Sequence, residues 1–420
     1  MDAMLVYVLN RHGHPLMPCS PRKARLLLKE GKARVLQRTP FTIQLLYGSS
    51  GYKQSVSLGV DAGTKHIGLS ATTEKKVLFE AEVMLRTDIQ ELLSTRREFR
   101  RSRRNRKTRY RKLRLLNRKR PKDWLAPSIQ NKVDTHAKLV EQVKKILPIT
   151  DVTVEVAQFD IQKIKNPDIA GVEYQQGDQM GFWNVREYVL FRDKHICQFC
   201  QGKSPDKVLN VHHIESRKTG GDAPGNLITL CDTCHDKIHR EGMAHLFQRR
   251  PDSFRDASRM TVMRWFIYRG IQEVFPDAKL TYGYITKNIR IRNGLEKSHR
   301  VDARCISGNP LAAPLATTHL IKQVRGQNRQ LHKAMILKGR VRKAHKAPRY
   351  VLGFQLFDKV RYNRQECFVF GRRASGYFDL RLLDGTKISV GVSCKKITPL
   401  ECASTLLIQT TKGGSGASSA

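Results

Sequence analysis

Two C-x-x-C pairs constrain this chain more than any other feature of its sequence. Cys197 with Cys200, and Cys231 with Cys234, offer four thiolates, the ligand set of a tetrahedral structural zinc site. A shared Zn²⁺ ion would close the thirty residues between the pairs into one compact loop. The chain has nine cysteines, and their arrangement is more typical of a reducing compartment than of a disulfide framework. We therefore predict a zinc-binding subdomain in a cytoplasmic protein.

The loop between the cysteine pairs carries side chains suited to metal-assisted phosphodiester hydrolysis. It contains VHHIES, then Asn226 thirteen residues after His213, and His235 directly follows the last cysteine. Hydrolysis needs a base for water, a divalent cation on the scissile phosphate and a group that fixes the base. We predict that His213 is the general base, that His212 and His235 are ligands of Mg²⁺, and that Asn226 orients the site. The joint pattern indicates an HNH nuclease domain.

The HNH pattern departs from many members of its class at one position. Where they carry an aspartate, this chain has His212. The replacement removes a negative charge from the predicted metal site, so the role of this ligand and the metal preference stay open. A purely structural zinc knuckle, as in many nucleic-acid-binding proteins, is the alternative interpretation of the four cysteines.

A second set of residues comes from three distant segments. Asp61 follows the predicted strand SVSLGV, Glu155 lies in the predicted strand VTVEV, and Asp302 opens a predicted helix with His299 one turn before it. Three converging carboxylates can hold two Mg²⁺ ions about 4 Å apart, the arrangement used for in-line displacement at phosphorus. His299 is then placed to move a proton to or from water. Each residue alone is weak evidence for such a site, but the order of all four along the chain is stronger evidence.

The charge of the chain indicates a polyanionic partner. It carries 77 Lys and Arg against 37 Asp and Glu, a net charge of +40. Self-repulsion on this scale opposes compaction unless phosphates neutralise it, so nucleic acid is the expected partner. Fifteen of the twenty-five residues in 96–120 are Lys or Arg, and without Pro or Gly they predict one helix of about 35–40 Å. The arginines that we expect to bind nucleic acid are Arg96, Arg97, Arg100, Arg101, Arg103, Arg104, Arg106, Arg109, Arg111 and Arg114.

Other segments predict the remaining elements. Residues 1–50 indicate a strand, a helix at 21–30 and further strands; 134–147 indicate an amphipathic helix, 161–194 a polar linker, and 241–275 helices. A strand is predicted near 280–285, and 350–402 alternate strand and turn signals, with a hairpin at 383–386, as in a small β-barrel-like module. The tail GGSGASSA resembles a flexible linker.

Membrane and nucleotide-hydrolysing functions are excluded. The chain has no run of eighteen apolar residues, and MDAMLVYVL is too short for a signal peptide. Gly63 and Gly68 have the spacing of a phosphate-binding loop, but Leu69 and Ser70 stand where that loop requires Lys and Ser or Thr.

The order of these features resembles the split RuvC fold of the IscB family, compact transposon-encoded RNA-guided nucleases related to CRISPR type II effectors. Pro15-Leu16-Met17-Pro18 matches the motif of the family's PLMP domain. The resemblance implies an α/β multidomain protein: a split RuvC (ribonuclease H-like) core with an inserted ββα zinc-containing HNH domain, an Arg-rich bridge helix and a small C-terminal β-module. The implied domains are 1–52 PLMP; 53–90, 123–165 and 246–320 RuvC; 91–122 bridge helix; 166–190 linker; 191–245 HNH; 321–349 basic RNA-binding segment; 350–410 target-adjacent-motif domain; and 411–420 tail.

The resemblance also implies a function. A structured guide RNA (ωRNA) would base-pair with double-stranded DNA, and the protein would hold the heteroduplex by its backbone. His213 would serve the HNH cut of the guide-paired strand, and Asp61, Glu155, His299 and Asp302 would cut the displaced strand, with Mg²⁺ at both sites. One protein per RNA is expected, in the prokaryotic cytoplasm and at the nucleoid. A protein-guided HNH endonuclease of the homing or restriction type and a non-enzymatic zinc RNA-binding protein are the alternatives. Ala62 departs from the family, where Pro is common.

Overall fold

The structure is a computed structural model. It describes residues 4–104, 124–156, 189–190, 192–206, 208–215, 224–247, 255–326, 334–336, 342–344 and 348–412. The chain divides into two compact units: unit 1 comprises Met1–Ala157 with Val262–Ala420, and unit 2 comprises Gln158–Thr261. None of the described helices combines the length and the apolar character needed to cross a membrane.

The secondary structure mixes helices and strands, which confirms the predicted α/β class. The helices are α1 (Pro21–Lys29), α2 (Ile89–Arg104), α3 (Pro127–Ile146), α4 (Asp232–Glu241), α5 (Arg255–Val274), α6 (Gly283–Arg292) and α7 (His299–Ile306). The strands are β1 (Val6–Leu9), β2 (Pro15–Cys19), β3 (Ala33–Gln37), β4 (Thr42–Leu45), β5 (Ser57–Asp61), β6 (His66–Thr72), β7 (Val77–Met84), β8 (Asp151–Glu155), β9 (Leu209–His213), β10 (Leu227–Cys231), β11 (Lys279–Thr281), β12 (Thr317–Gln323), β13 (Ala334–Ile336), β14 (Arg342–Ala344), β15 (Lys359–Tyr362), β16 (Gln365–Arg372), β17 (Tyr377–Arg381), β18 (Lys387–Ser393), β19 (Thr398–Glu401) and β20 (Leu406–Lys412).

The N-terminal segment forms a four-stranded sheet in the order β2-β1-β4-β3, with α1 between β2 and β3. Pro21 opens α1 at a position where its missing N–H costs nothing, and the Ser20 hydroxyl accepts a hydrogen bond from the Lys23 amide. Val8, Ala24 and Ile43 are among the buried residues that join the helix to the sheet. This confirms the predicted strand–helix–strand pattern of residues 1–50.

The centre of unit 1 is a seven-stranded sheet in the order β11-β8-β5-β6-β7-β12-β20. Strands β5, β6 and β7 form an antiparallel meander, whereas β8 pairs with β5, and β12 pairs with β7, in the parallel direction. One face of the meander is apolar, since Leu58, Val60, Ile67 and Leu69 all lie on it and none has exposed surface. The mixed sheet, with β8 and α7 supplied by later segments, is the split α/β core that the resemblance implies.

Two glycines let α7 lie directly on this sheet. A Cβ atom at Gly59 would overlap the carbonyl oxygen of Ala303, and one at Gly68 would overlap the carbonyl oxygen of His299. Polar contacts fix the far end of the helix, where the Arg304 Nε donates to Glu80 Oε1 at 2.8 Å in a buried ion pair. The backbone of α7 therefore rests on β5 and β6, and its first turn lies over the end of β5.

Two predicted helices change their limits in the structure. The amphipathic helix predicted at 134–147 is α3, which begins seven residues earlier because Pro127 occupies its first turn. The Arg-rich helix predicted at 96–120 corresponds to α2, which begins at Ile89. Its residues 96–104 are helical as predicted, and 105–120 lie outside the described part of the chain.

The predicted strand near 280–285 is wrong in its second half. Strand β11 ends at Thr281, and the chain turns into α6 at Gly283. The sequence YITKNIRIR alternates like a strand, but Ile285 and Ile289 are also four residues apart and so share one helix face. The alternation alone was misleading because it fits both structures.

The C-terminal module is an antiparallel five-stranded sheet in the order β18-β17-β16-β15-β19. Cys367, Phe378 and Leu380 are fully buried in its core. The predicted hairpin at 383–386 is confirmed, since the turn joins β17 to β18 with Gly385 at a φ of +100°. The predicted boundaries at 350–410 and 411–420 are wrong, because β20 leaves this module and pairs along its length with β12 in the large sheet.

Unit 2 has the predicted ββα arrangement. Strands β9 and β10 pair antiparallel, and α4 follows β10 without a break. Gly242 ends α4 in the left-handed conformation. Cys197, Leu230, Cys234 and Ile238 form the buried core together with Cys231. In so small a unit the cysteines supply much of the core, as expected when a metal ion replaces part of the hydrophobic interior.

Candidate active sites

The four predicted zinc ligands lie together in unit 2. All four Sγ atoms lie within 4.8 Å of one another, in Cys197, Cys200, Cys231 and Cys234. The Sγ atoms of Cys200 and Cys231 are 3.9 Å apart. Burial raises the pKa of the Cys197 thiol. Burial also opposes ionisation of Cys200, but hydrogen bonds from the Ser204 amide and from Cys197 lower its pKa to about 6. The donor set and spacing fit Zn²⁺, and the predicted four-cysteine cluster is confirmed.

We expect a Cys231→Ser variant to lose its zinc and the fold of unit 2. Cys231 ends β10, so its loss leaves three thiolates and disconnects β10 from the metal, while Cys234 on α4 remains. Metal analysis should give less zinc in the variant than in the wild-type chain, and proteolysis should cut unit 2 in the variant alone. Cys402→Ser, at an exposed cysteine outside the cluster, is the matched control. Equal zinc in all three proteins would contradict the assignment.

A second group of ligands lies in the same unit, on the face where β9 meets α4. His212, His235 and His239 each offer a ring nitrogen within 4.8 Å of the other two. The His235 and His239 Nε2 atoms are 3.3 Å apart, and both rings meet the His212 ring edge to face. Successive residues of a strand point to opposite faces, so His212 faces α4 and His213 faces away from it.

His239 was missed from the sequence. The signal was present, because His235 and His239 are four residues apart and so share one face of a helix. This spacing identifies His239 as a ligand only if α4 continues past His235 and packs the face with both histidines against His212, and the structure shows both features. The structure thus brings together the two predicted ligands, His212 and His235, and adds a third.

The donor chemistry of this histidine group does not match Mg²⁺. Mg²⁺ prefers oxygen ligands in octahedral geometry, whereas imidazole nitrogens suit Zn²⁺, Ni²⁺, Co²⁺ and related ions. Burial, together with the charges that His239 and His235 can carry, lowers the pKa of His212 to about 4, so its ring is neutral at pH 7. Its Nε2 atom is buried and has no hydrogen-bond partner among the described residues. The group can hold a divalent transition metal, but three nitrogen donors do not support the predicted Mg²⁺.

Asn226 holds the backbone that follows the predicted base. Its side-chain oxygen accepts a hydrogen bond from the Glu215 amide at 2.9 Å, and its side-chain nitrogen donates to the Glu215 carbonyl at 3.0 Å. Its own carbonyl accepts from the Ile214 amide at 2.8 Å. Asn226 is fully buried, and these bonds fix the two residues after His213. The arrangement is suited to the orienting role that we predicted for Asn226.

The predicted carboxylates of unit 1 meet at one end of the large sheet. Asp61 and Glu155 end the parallel strands β5 and β8 and lie directly opposite each other, so their side chains leave the same face. The first turn of α7 crosses this end and carries His299 and Asp302. His299 Nδ1 donates to Asp61 Oδ2 at 2.6 Å, and this hydrogen bond raises the pKa of His299. The helix begins at His299, so Asp302 lies within its first turn and does not open it.

Each carboxylate at this end has a partner. The Thr286 hydroxyl donates to Glu155 at 2.5 Å, and Arg290 Nε lies 3.0 Å from Asp302 Oδ1. Burial, and then the charge of Asp61, raises the pKa of Asp302 to about 6. Carboxylate oxygens are the donors that Mg²⁺ prefers, so this set fits Mg²⁺. The oxygen atoms of the three carboxylates are farther apart than the ligand atoms of the two groups in unit 2, which lie within 4.8 Å of one another.

Two further ionisable residues lie beside His299 and were missed from the sequence. The His66 ring stacks on the His299 ring, with centroids 5.4 Å apart and planes 7° apart. Glu82 lies opposite Gly68 on β7, and its charge adds to the rise in the pKa of His299. Only the strand register places them there, because β6 and β7 carry no motif.

The described part of the Arg-rich segment is exposed. Arg96, Arg97, Arg100 and Arg101 all lie on α2 with exposed side chains, as expected for phosphate ligands. Arg103 and Arg104 complete α2 in the backbone. The remaining predicted nucleic-acid ligands, Arg106, Arg109, Arg111 and Arg114, lie outside the described residues.

Comparisons with known proteins match two families to this chain. Residues 6–177 match the family described as RRXRR protein, and residues 197–241 match the HNH endonuclease family. A search of curated proteins gives no match. Among solved structures the chain is similar to the type II-C Cas9 enzyme from Actinomyces naeslundii, at 11% identity and a TM-score of 0.20, over 61% of this chain and 60% of the Cas9 chain. The RRXRR and HNH matches confirm the resemblance to the IscB family.

Proposed function

We propose that this IscB-like chain, which carries an HNH endonuclease domain, is an RNA-guided DNA endonuclease that cuts both strands of its target. A structured guide RNA pairs with one DNA strand next to a short target-adjacent motif. Unit 2 then cuts the guide-paired strand, and the carboxylate site of unit 1 cuts the displaced strand. Base pairing reads the sequence, and the protein reads backbone shape and the adjacent motif.

The presence of two metal-type sites with different donors in two separate units supports this proposal most directly. One group has three imidazoles beside His213, and the other has carboxylates hydrogen-bonded to His299, Thr286 and Arg290. An enzyme that cuts one strand needs one such site. Two separate sites are suited to two strands that leave a melted duplex in different directions.

The residues have distinct proposed roles. His213 accepts a proton from water, while Asn226 keeps the backbone after it in place. Asp61, Glu155 and Asp302 would hold divalent metal, and His299 transfers a proton next to Asp61. A bound divalent ion would polarise the scissile phosphate and lower the pKa of water. His212, His235 and His239 would hold the metal of unit 2.

The charge and the remaining modules support an RNA partner. The net charge of +40 requires many phosphates, and the exposed arginines of α2 offer a row of phosphate ligands. We assign α2 and the segment after it to the bridge helix, residues 321–349 to RNA binding, and 350–402 to the adjacent motif. Residues 1–52 are assigned to the PLMP domain, 191–245 to HNH, and the large sheet to RuvC.

Retargeting the guide tests the proposal. We expect the purified protein to retain a defined RNA, and a new guide sequence should move the cut to the matching DNA site. A duplex library with a randomised flank would identify the adjacent motif, and a scrambled guide is the matched control. A cut at the same place with every guide would favour a protein-guided HNH endonuclease. RNA binding without any cleavage would favour the non-enzymatic zinc protein.

A further inference from the structure

Two exposed tyrosines form a pair beside the carboxylate site of unit 1. The rings of Tyr282 and Tyr284 are nearly parallel, with 10° between their planes and 6.2 Å between their centroids. Tyr282 is 39% exposed and Tyr284 is 50% exposed. Tyr268 offers a contrast, since it is half-buried and its hydroxyl donates to the Ala278 carbonyl at 3.0 Å. Tyr268 anchors the fold, whereas Tyr282 and Tyr284 remain partly accessible to a ligand.

Backbone pairing places these two tyrosines close to Glu155. Strand β11 pairs with β8 so that Thr281 lies opposite Glu155, and Tyr282 is the next residue in the chain. Tyr284 lies in the first turn of α6, whose Thr286 donates its hydroxyl to Glu155. Tyr282 is the single residue between β11 and α6, and Tyr284 lies in α6, so each is within two residues of a residue that lies opposite Glu155 or donates to it.

The helix that follows the tyrosines is basic. Helix α6 contains Lys287, Arg290 and Arg292 and no acidic residue; Arg290 pairs with Asp302, and Arg292 is exposed. The N-terminus of a helix also carries a partial positive charge, and the tyrosines lie at that end of α6. The ligand expected here combines negative charge with flat apolar faces.

Unpaired nucleic acid has both properties. Proteins that bind single strands without sequence preference combine a positive track for the backbone with aromatic rings on which bases stack. In a duplex, neighbouring bases already stack on one another, so a paired strand has no free base face on which the tyrosine rings can stack. An exposed apolar protein partner would not explain the basic helix.

We propose that Tyr282 and Tyr284 are a stacking platform for unpaired bases of the displaced DNA strand. Stacking holds the strand so that its backbone passes over Asp61 and Glu155. The inference rests on the proposed function, and adds to it the positioning residues that bring the single strand to the carboxylates. The tyrosines touch the bases and are not part of the chemistry.

The test compares three variants in the protein–RNA complex, with the two DNA strands labelled separately. Tyr282→Leu with Tyr284→Leu keeps apolar area but removes both rings, and displaced-strand cutting should slow by roughly tenfold to hundredfold, the loss expected for one stacked base. Cutting of the guide-paired strand should not change. Tyr282→Phe with Tyr284→Phe should retain the wild-type rate, and Tyr52→Leu, at a tyrosine that is 85% exposed elsewhere in unit 1, is the matched control.

A second readout does not depend on cleavage. Single-stranded DNA with 2-aminopurine should lose fluorescence when the wild-type or the phenylalanine complex binds it, because stacking quenches this base, and should stay bright with the leucine variant. Equal quenching by the leucine variant, or wild-type displaced-strand cutting in that variant, would overturn the platform. A wild-type complex that never cuts the displaced strand would overturn the proposed function instead, and the fluorescence would still decide the platform.

Discussion

The Asp61→Ala variant is expected to cut only the guide-paired strand, with displaced-strand cutting reduced by roughly 10³-fold or more. Asp61 lies opposite Glu155 and holds His299 through a 2.6 Å hydrogen bond, so its loss removes a carboxylate ligand and releases the histidine. Duplex DNA with a different label on each strand measures both rates in one reaction. The product should be a duplex with a single nick, which a supercoiled plasmid reports as an open circle.

The Asp61 result needs a control in the same sheet. Glu74→Ala removes an exposed carboxylate from the turn between β6 and β7 and should leave both rates unchanged. If the Asp61→Ala variant still cuts both strands at the wild-type rate, the carboxylate site is a scaffold and the HNH domain makes both cuts. The same protein must retain its guide RNA, which gel analysis of the purified complex measures.

The His213→Ala variant should give the opposite nick. Removing a general base typically costs roughly 10²- to 10⁴-fold in rate, and here the loss is expected on the guide-paired strand only. Sequencing of the nicked product identifies the intact strand. The fold of unit 2 should survive, because His213 lies at the end of β9, faces away from α4 and is not one of the four cysteine ligands.

Rescue by metal separates a base from a ligand. His239→Ala removes one of three imidazoles and should weaken metal binding, so the guide-paired cut is expected to recover as Mn²⁺ or Co²⁺ is raised. His213→Ala should not recover under the same titration. Equal rescue of both variants would identify His213 as a metal ligand and leave the general base unassigned.

Features that depend on local spacing could be predicted from the sequence. The spacing of the two C-x-x-C pairs predicted that their four cysteines lie together, and they do. A shared zinc ion also predicted the compact ββα unit around them. Asp61 and Glu155 could be placed because each ends a short apolar strand. His299 and Asp302 are three residues apart, which brings both to one face of any helix that contains them.

Features that depend on partners distant in sequence could not be predicted. His66 and Glu82 lie near His299 only because of the register in which β6 and β7 pair, with Gly68 of β6 opposite Glu82 of β7. The strand LLIQTTK has the same alternation whether it continues the C-terminal module or returns to the large sheet, and Ile321 opposite Ile408 shows which partner it takes. Pattern identifies a strand, but burial against a particular neighbour chooses its sheet.

The contact of α7 with Gly59 and Gly68 sets a limit on how this protein can be altered. Overpacking between side chains is relieved in part by changes of rotamer, but two main chains in direct contact have no rotamers to change. The spacing between Asp61 and His299 is therefore highly sensitive to a single methyl group at either glycine. Engineering of displaced-strand cutting should leave these two positions alone and vary the approach of the DNA.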